Sequence, residues 1–280
     1  MNGRNEAAGA WETVCREAGS AVMRALAELP TRYEREPKVG AGMGGDETTA
    51  IDQAAEDAVV RVLERLAVPL TLVSEELGET AIGGSGGDDL RVVLDPIDGS
   101  LNAKRGIPFF ALSIAIADGP TMADVFFAYV YDFGTGEEWT AARGEGARLD
   151  GLALDGPGPK DDVEVLVIEA TRTDLLADKV AGMVGLAYRA RVLGSLALAL
   201  CHLAAGRVDA VCSLKPARSV DIAAAQLLVR ERGLAIELPE DVRFTDARLD
   251  VVARSRVVAA ATVETCSELF ERLAGGPAND

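Results

Sequence analysis

The chain has 280 residues, 49% of them hydrophobic, and carries 28 basic against 45 acidic side chains for a formal net charge of −17. That is enough apolar chain for one large domain or two packed subdomains, and the charge repels nucleic-acid backbones, which excludes nucleic acid as an expected partner. No stretch reaches the roughly 18 uncharged apolar residues of a membrane helix, and the polar start has no apolar signal core behind it, so neither a membrane nor export is expected.

Cys15, Cys201, Cys212 and Cys266 lie far apart without CxxC spacing and read as reduced core residues of a cytoplasmic protein. The single histidine, His202, sits in the apolar helical run Leu198–Leu203 and reads as structural. Ser-His-Asp catalysis and histidine-rich zinc sites then fall away, leaving acid–base and electrophilic work to carboxylates and metal ions.

Residues 6–29 repeat apolar positions at helical spacing (Trp11, Val14, Ala18, Val22, Leu26, Leu29), and Pro30 stops that helix. Residues 31–45 read as a glycine-rich loop or short hairpin, followed by Asp46 just before a helix start. Thr48 or Thr49 caps that helix, which buries Ile51, Ala55, Ala58, Val59, Val62, Leu63 and Leu66. On its own Asp46 reads as a surface cap, where the helix dipole also favours a carboxylate.

Leu70–Val73 is a short strand ending in Ser74-Glu75-Glu76, and 78–90 reads as a flexible surface loop. Paired glutamates at a strand end are usually solvated. Glu75, however, precedes Asp95 by 20 positions at the end of the preceding strand, so the two converge if the strands are neighbours.

The stretch Leu94-Asp95-Pro96-Ile97-Asp98-Gly99-Ser100-Leu101-Asn102 organises the chain. An apolar strand, Val92–Leu94, runs into Asp95. Pro96 takes the backbone out of regular pairing, and a second carboxylate, Asp98, follows on a stiff turn. Two oxygen donors so placed suit a hard cation. Gly99 and Ser100 open a helical turn whose free N–H groups can cradle a phosphate oxygen. Carboxylates beside an anion cradle suggest metal-assisted phosphoryl chemistry. A strand-to-turn with an aspartate cap is the bland alternative.

Residues 109–117, 121–131 and 137–142 read as an antiparallel meander, and Asp150-Gly151 as a tight hairpin. The Gly/Pro-rich stretch 155–162 is the expected boundary between an N-terminal α+β subdomain (1–155) and a C-terminal α/β subdomain (156–280). Beyond it come a strand at 165–168, a helix at 173–184, a helix opened by Gly194-Ser195, a strand at 208–212, a helix from Ser219 to Gly233, a strand at 257–261 and a helix at 263–273. Asp221 stands at a helix start, where an ordinary N-cap and a ligand reaching toward the first-half carboxylates are both open readings.

Taken together the chain resembles the inositol monophosphatase family of magnesium-dependent sugar phosphatases, and within it the archaeal-type dual fructose-1,6-bisphosphatase/inositol-1-monophosphatases. The resemblance rests on Ser74-Glu75-Glu76, on Asp95 to Asn102, on Val220-Asp221-Ile222-Ala223-Ala224-Ala225, and on Asp46 and Asp52 at the upstream acidic positions. Asn102–Pro108 and Arg191–Ser195 support the archaeal-type branch.

The resemblance implies a layered αβαβα sandwich, a homodimer and two or three Mg²⁺ ions. Glu75, Asp95 and the Ile97 carbonyl would hold the first ion, Asp95, Asp98 and Asp221 the second, Asp46 and Glu75 a third. Ser100 and Asp46 would orient the attacking water, and Gly99 and Ser100 would bind phosphate. Arg191, Gly194, Ser195, Leu196 and Lys215, with Asp98 and Asp221, would face the sugar. Among Arg172, Arg189, Arg191, Lys215 and Arg218, one or two could clamp a second phosphate, which favours fructose 1,6-bisphosphate over inositol 1-phosphate.

Three departures bear on the sugar pocket: Val220 for the usual Trp, Ser100 for Thr, and Arg232-Gly233-Leu234 for Gly-Gly. A nucleotide 3′-phosphatase and a non-catalytic regulatory binding protein are the competing functions.

Overall fold

A computed structural model of the chain describes residues 2–43, 45, 47–84, 89–160, 162–169, 172–240 and 243–274. Five layers alternate helix and sheet. The outer helical layer pairs α1 (Asn2–Ala27) with α3 (Ala50–Arg65). Between them come a short helix α2 (Arg32–Arg35) and a small hairpin of β1 (Lys38–Ala41) and β2 (Glu47–Thr49). Thr49, one of the two caps expected, caps α3 in a reciprocal box with Asp52.

The second layer is an eight-stranded sheet. Its strands are β3 (Leu70–Ser74), β4 (Gly78–Ile82), β5 (Arg91–Asp98), then, after helix α4 (Ser100–Arg105), β6 (Ala111–Ala117), β7 (Val125–Asp132), β8 (Glu138–Ala142), β9 (Gly146–Leu149) and β10 (Leu152–Ala153). The spatial order β10-β9-β8-β7-β6-β5-β3-β4 is antiparallel except where β3 runs parallel to β5. Alternation sorts the side chains: Leu112, Ile114, Ile116, Phe127 and Tyr129 pack toward α1 and α3, while Ala111, Ala115, Ala128 and Val130 face the other way.

That second face meets α6 (Leu196–Ala204) and α8 (Ala225–Glu231), which lie between the large sheet and a five-stranded one. Sandwiched between two sheets, α6 is apolar nearly all round, as a fully buried helix must be. The second sheet, in the order β12-β11-β13-β15-β14, comprises β11 (Val165–Glu169), β12 (Arg189–Arg191), β13 (Ala210–Ser213), β14 (Ala235–Glu237) and β15 (Val258–Ala260). Helix α5 (Thr173–Val180) leads into β12, α7 (Ser219–Ile222) precedes α8, and α9 (Val263–Ala274) covers the far face.

The layered sandwich is therefore the architecture that the resemblance implied. Local differences have identifiable causes. The segment 78–82, expected as loop, is an edge strand paired with β3; its polar exposed positions and the Glu79–Arg91 ion pair suit an edge rather than a buried strand. The strand expected to end at Leu94 runs on to Asp98. The ladder with β6 slips by one residue between Asp95 and Asp98, where Pro96 has no N–H to give, producing a bulge. The expected helix from Ser219 is interrupted at Ala223–Ala224, both still in right-handed helical conformation. The three-residue strands β12 and β14 carried no sequence signal.

Candidate active site

Two strand ends and one helix start deliver the acidic side chains to one place. β3 and β5 pair in parallel with a constant offset of twenty positions, Ser74 opposite Leu94, so Glu75 and Asp95 leave the sheet side by side. The bulge at Pro96 turns Asp98 toward the same rim. Asp221 arrives from the other half of the chain, on the first turn of α7, where its Oδ2 accepts from the Arg218 N–H at 2.7 Å. Carboxylate oxygens of Glu75, Asp95 and Asp221 lie within 4.8 Å of one another. Oxygen donors at that separation are what a hard divalent cation collects, so these residues fit a metal ion.

The surroundings hold these carboxylates in place. Asp95 Oδ1 accepts from its own turn, the Ile97 N–H at 3.0 Å. Asp98 Oδ2 accepts from Ser195 Oγ at 2.5 Å and the Ala197 N–H at 2.7 Å, at the N-terminus of α6. Gly194 donates to both oxygens of Glu169, at 3.0 and 3.2 Å. Asn102 Nδ2 ties α4 to the Phe109 and Leu193 carbonyls, each at 2.8 Å. Gly99 has φ +91°, and a Cβ there would stand 2.9 Å from the Gly194 carbonyl oxygen, so glycine is required by both conformation and space.

Crowding shows in the ionisation. Burial, then neighbouring Asp98 and Glu75, pushes the Asp95 carboxyl well above the usual carboxylate range. Burial likewise raises Glu75 to about 7 against the lowering pull of the Arg218 guanidinium. It raises Asp98 to about 7 despite the Ser195 hydrogen bond, and Glu169 to about 7. A cation that enters such a cluster displaces protons and relieves repulsion together.

Of the site residues read from the sequence, Glu75, Asp95, Ile97, Asp98, Gly99, Ser100, Gly194, Leu196, Lys215 and Asp221 all line one cavity of about 310 Å³. Asp46 lies outside the described residues. Two residues are placed elsewhere. Ser195, expected to face a sugar, is buried behind the cavity wall because it caps α6 and holds Asp98. Arg191 is exposed on the outer strand β12, bonded to the Ala190 carbonyl, and does not reach the cavity. Of the other clamp candidates, Arg172 pairs with Asp174 and Arg189 with Glu164 at the surface, while Arg218 is buried at the cavity. His202 stacks on Phe109 at 5.7 Å and meets the Trp139 edge at 5.8 Å, a packing role.

Several cavity residues were given no site role from the sequence: Glu169 and Arg254, which carry no motif, Lys104, quoted only within the Asn102–Pro108 stretch, and Asp52, noted only as an upstream acid. Ser100 Oγ lies 2.8 Å from Asp52 Oδ1 and 3.0 Å from the Ile97 carbonyl oxygen, and Lys104 Nζ lies 3.7 Å from Asp52 Oδ2. Asp52 is thus the carboxylate that addresses the Ser100 hydroxyl; the capping box with Thr49 fixes its position.

Converging carboxylates with an adjacent hydroxyl–carboxylate pair suit a metal-dependent hydrolytic centre. Comparison with known proteins agrees. The inositol monophosphatase family model matches residues 6–274. A protein of Methanothermobacter thermautotrophicus named fructose-1,6-bisphosphatase/inositol-1-monophosphatase is 33% identical over 271 residues, covering 94% of this chain and 96% of the relative. The Escherichia coli Nus factor SuhB is 36% identical over 218 residues, 73% of this chain and 77% of that protein. A crystal structure described as an inositol monophosphatase–fructose 1,6-bisphosphatase superposes with a TM-score of 0.80 at 26% identity, over 94% of this chain and 99% of that one. The chain belongs to the inositol monophosphatase family, a family of phosphatases.

Proposed function

We propose that the protein is a Mg²⁺-dependent phosphomonoesterase acting on a sugar phosphate. The relatives named fructose-1,6-bisphosphatase/inositol-1-monophosphatase point to fructose 1,6-bisphosphate, cleaved at its 1-phosphate, and inositol 1-phosphate as candidate substrates. The observation that carries this reading is the convergence of Glu75, Asp95 and Asp221 in a cavity that also holds the Ser100–Asp52 pair.

Glu75, Asp95, Asp98, Asp221 and the Ile97 carbonyl are the residues that would hold two Mg²⁺ ions, with Asp46 and Glu75 proposed for a third. When bound, Mg²⁺ supplies charge neutralisation and lowers the pKa of water. The chain's own groups do the remaining work. Ser100 Oγ, hydrogen-bonded to Asp52, orients the attacking water and passes its proton to the Asp52 carboxylate. The Gly99 and Ser100 N–H groups and Lys104 offset charge on the phosphate oxygens. Water adds to phosphorus as the ester P–O bond breaks, the sugar oxygen takes up a proton, and the products are the alcohol and inorganic phosphate.

Gly194, Leu196, Lys215 and Glu169 line the part of the cavity proposed for the sugar; Lys215 and Arg254 are exposed basic groups on the same wall and suit a second phosphate. Ser195 acts there through Asp98, and Arg191 is left out of this assignment. We expect a homodimer working in the cytoplasm, and no helix among the described residues is long and apolar enough to cross a membrane.

The test is phosphate release with Mg²⁺, comparing fructose 1,6-bisphosphate and inositol 1-phosphate. A higher kcat/KM for the bisphosphate supports the Lys215–Arg254 wall as a second phosphate site; preference for inositol 1-phosphate removes it. A second reading, a binding protein that works through a partner, draws on the relatives named Nus factor SuhB. Absence of turnover on both substrates and on a nucleoside 3′-phosphate, with Mg²⁺ still bound, favours it.

A further inference from the structure

A guanidinium stands inside the carboxylate cluster. Arg218 Nη2 lies 2.6 Å from Glu75 Oε1 and 3.6 Å from Asp221 Oδ1, and its side chain is 8% exposed. Both partners belong to the three-carboxylate group whose oxygens converge within 4.8 Å. The other basic side chains on the cavity are placed differently: Lys104 faces Asp52, and Lys215 and Arg254 are exposed. The backbone of Arg218 has bonds of its own: its N–H donates to Asp221 Oδ2 at 2.7 Å, and the preceding Ala217 bridges to Ser255.

Such a placement answers a physical difficulty. Glu75, Asp95, Asp98 and Asp221 are close, largely buried and of like charge, so without a cation their repulsion opposes the folded arrangement. A buried guanidinium on two of them relieves it and satisfies oxygens that would otherwise be desolvated without a partner. The same positive charge is a fixed opponent of any dication that seeks the same oxygens, because Glu75 Oε1 already accepts from Arg218 and the two cations repel at a few ångströms.

We propose that Arg218 is a built-in counter-cation of the metal centre, which holds Glu75 and Asp221 together when no divalent ion is bound and weakens divalent-cation binding at the ligands it touches. This rests on the reading of Glu75, Asp95 and Asp221 as metal ligands. It assigns Arg218 a role opposite in sign to an ordinary supporting contact: a residue that merely orients Glu75 would strengthen metal binding, and its loss would weaken affinity by roughly 10- to 100-fold. With the guanidinium in place the centre is stable empty and takes up its ions reversibly, so occupancy follows the free divalent-ion concentration.

The experiment is calorimetric titration of the chelator-stripped full chain with Mg²⁺ and with Mn²⁺, without substrate, for the wild type and Arg218→Met. Thermal unfolding is measured in chelator and in saturating Mg²⁺. The variant is expected to bind the divalent ion roughly tenfold more tightly, the scale of removing one nearby positive charge under partial screening. Its Tm should fall in chelator but recover with Mg²⁺. Arg218→Gln, neutral and with two N–H donors in place of the five of arginine, should shift affinity in the same direction and covers the case in which the Met variant does not fold. Equal or weaker metal binding in folded variants overturns the role of Arg218 alone. A wild type that takes up no divalent ion overturns the metal-centre reading and this role with it.

Discussion

Glu56 offers a sharp test of how burial shapes this molecule. It is fully buried on α3, accepts a hydrogen bond from Ser74 Oγ, and leaves its other carboxylate oxygen without a partner. Burial, with Glu76 nearby, raises its pKa from the ordinary 4.5 to about 7. The folded protein therefore keeps a proton on Glu56 that the unfolded chain loses at lower pH. Its stabilising contribution is complete below the unfolded pKa and is lost as pH rises through about 7. At 1.36 kcal/mol per unit the shift corresponds to about 3 kcal/mol between acid and alkaline conditions.

Glu56→Gln fixes the neutral form. Its carbonyl oxygen can still accept from Ser74, so any cost of the buried amide is a constant offset. Urea unfolding of both proteins in chelator, at intervals between about pH 4.5 and 8.5, should show the variant gaining on the wild type by up to about 3 kcal/mol as pH rises, then levelling off. The acidic cluster titrates in both proteins and cancels in the difference. A difference that stays flat across this range refutes the reasoning.

Other consequences can be checked separately. Asp95→Asn should lower kcat by several orders of magnitude while the Tm in chelator does not fall, since one of several crowded charges has been removed; near-normal turnover contradicts the assignment. Ser195→Ala should weaken Mg²⁺ binding roughly 10- to 100-fold, because it withdraws the hydroxyl that holds Asp98, while KM at saturating Mg²⁺ changes little; a large KM effect with intact metal affinity would mean direct sugar contact instead. Gly99→Ala should destabilise the fold by about 1–3 kcal/mol, from the positive φ and the close Gly194 carbonyl, measured by urea unfolding in chelator; a variant as stable as the wild type rejects that strain.

What the sequence made legible was the local chemistry. Asp95-Pro96-Ile97-Asp98 announces a strand terminus with two carboxylates, and Thr48-Thr49 before an apolar period announces a helix start, because both depend on residues a few positions apart. The Glu75–Asp95 pairing was readable as a conditional: it needed β3 and β5 to be neighbours, which they are. Longer-range partners left no trace. Nothing near Asp98 names Ser195, 97 positions away, as the group that holds it, nor does any pattern around Arg218 point to Glu75 rather than to a substrate phosphate. Arg191 shows the converse, a motif neighbour carried away from the cavity by the strand it lies on. The edge strand 78–82 was missed because polar, half-exposed residues beside glycines look like loop until a partner strand is known.

The parallel register of β3 and β5 also bears on which length changes the gene can tolerate. Because side chains alternate with period two, one residue inserted into or deleted from either strand would rotate its terminal carboxylate to the opposite face of the sheet, away from its partner. Residues added between Ile82 and Arg91 would leave both strand ends where they are. Viable insertions and deletions in variant libraries should therefore cluster in that connection and be purged from the strands, even at positions where every single-residue substitution is accepted.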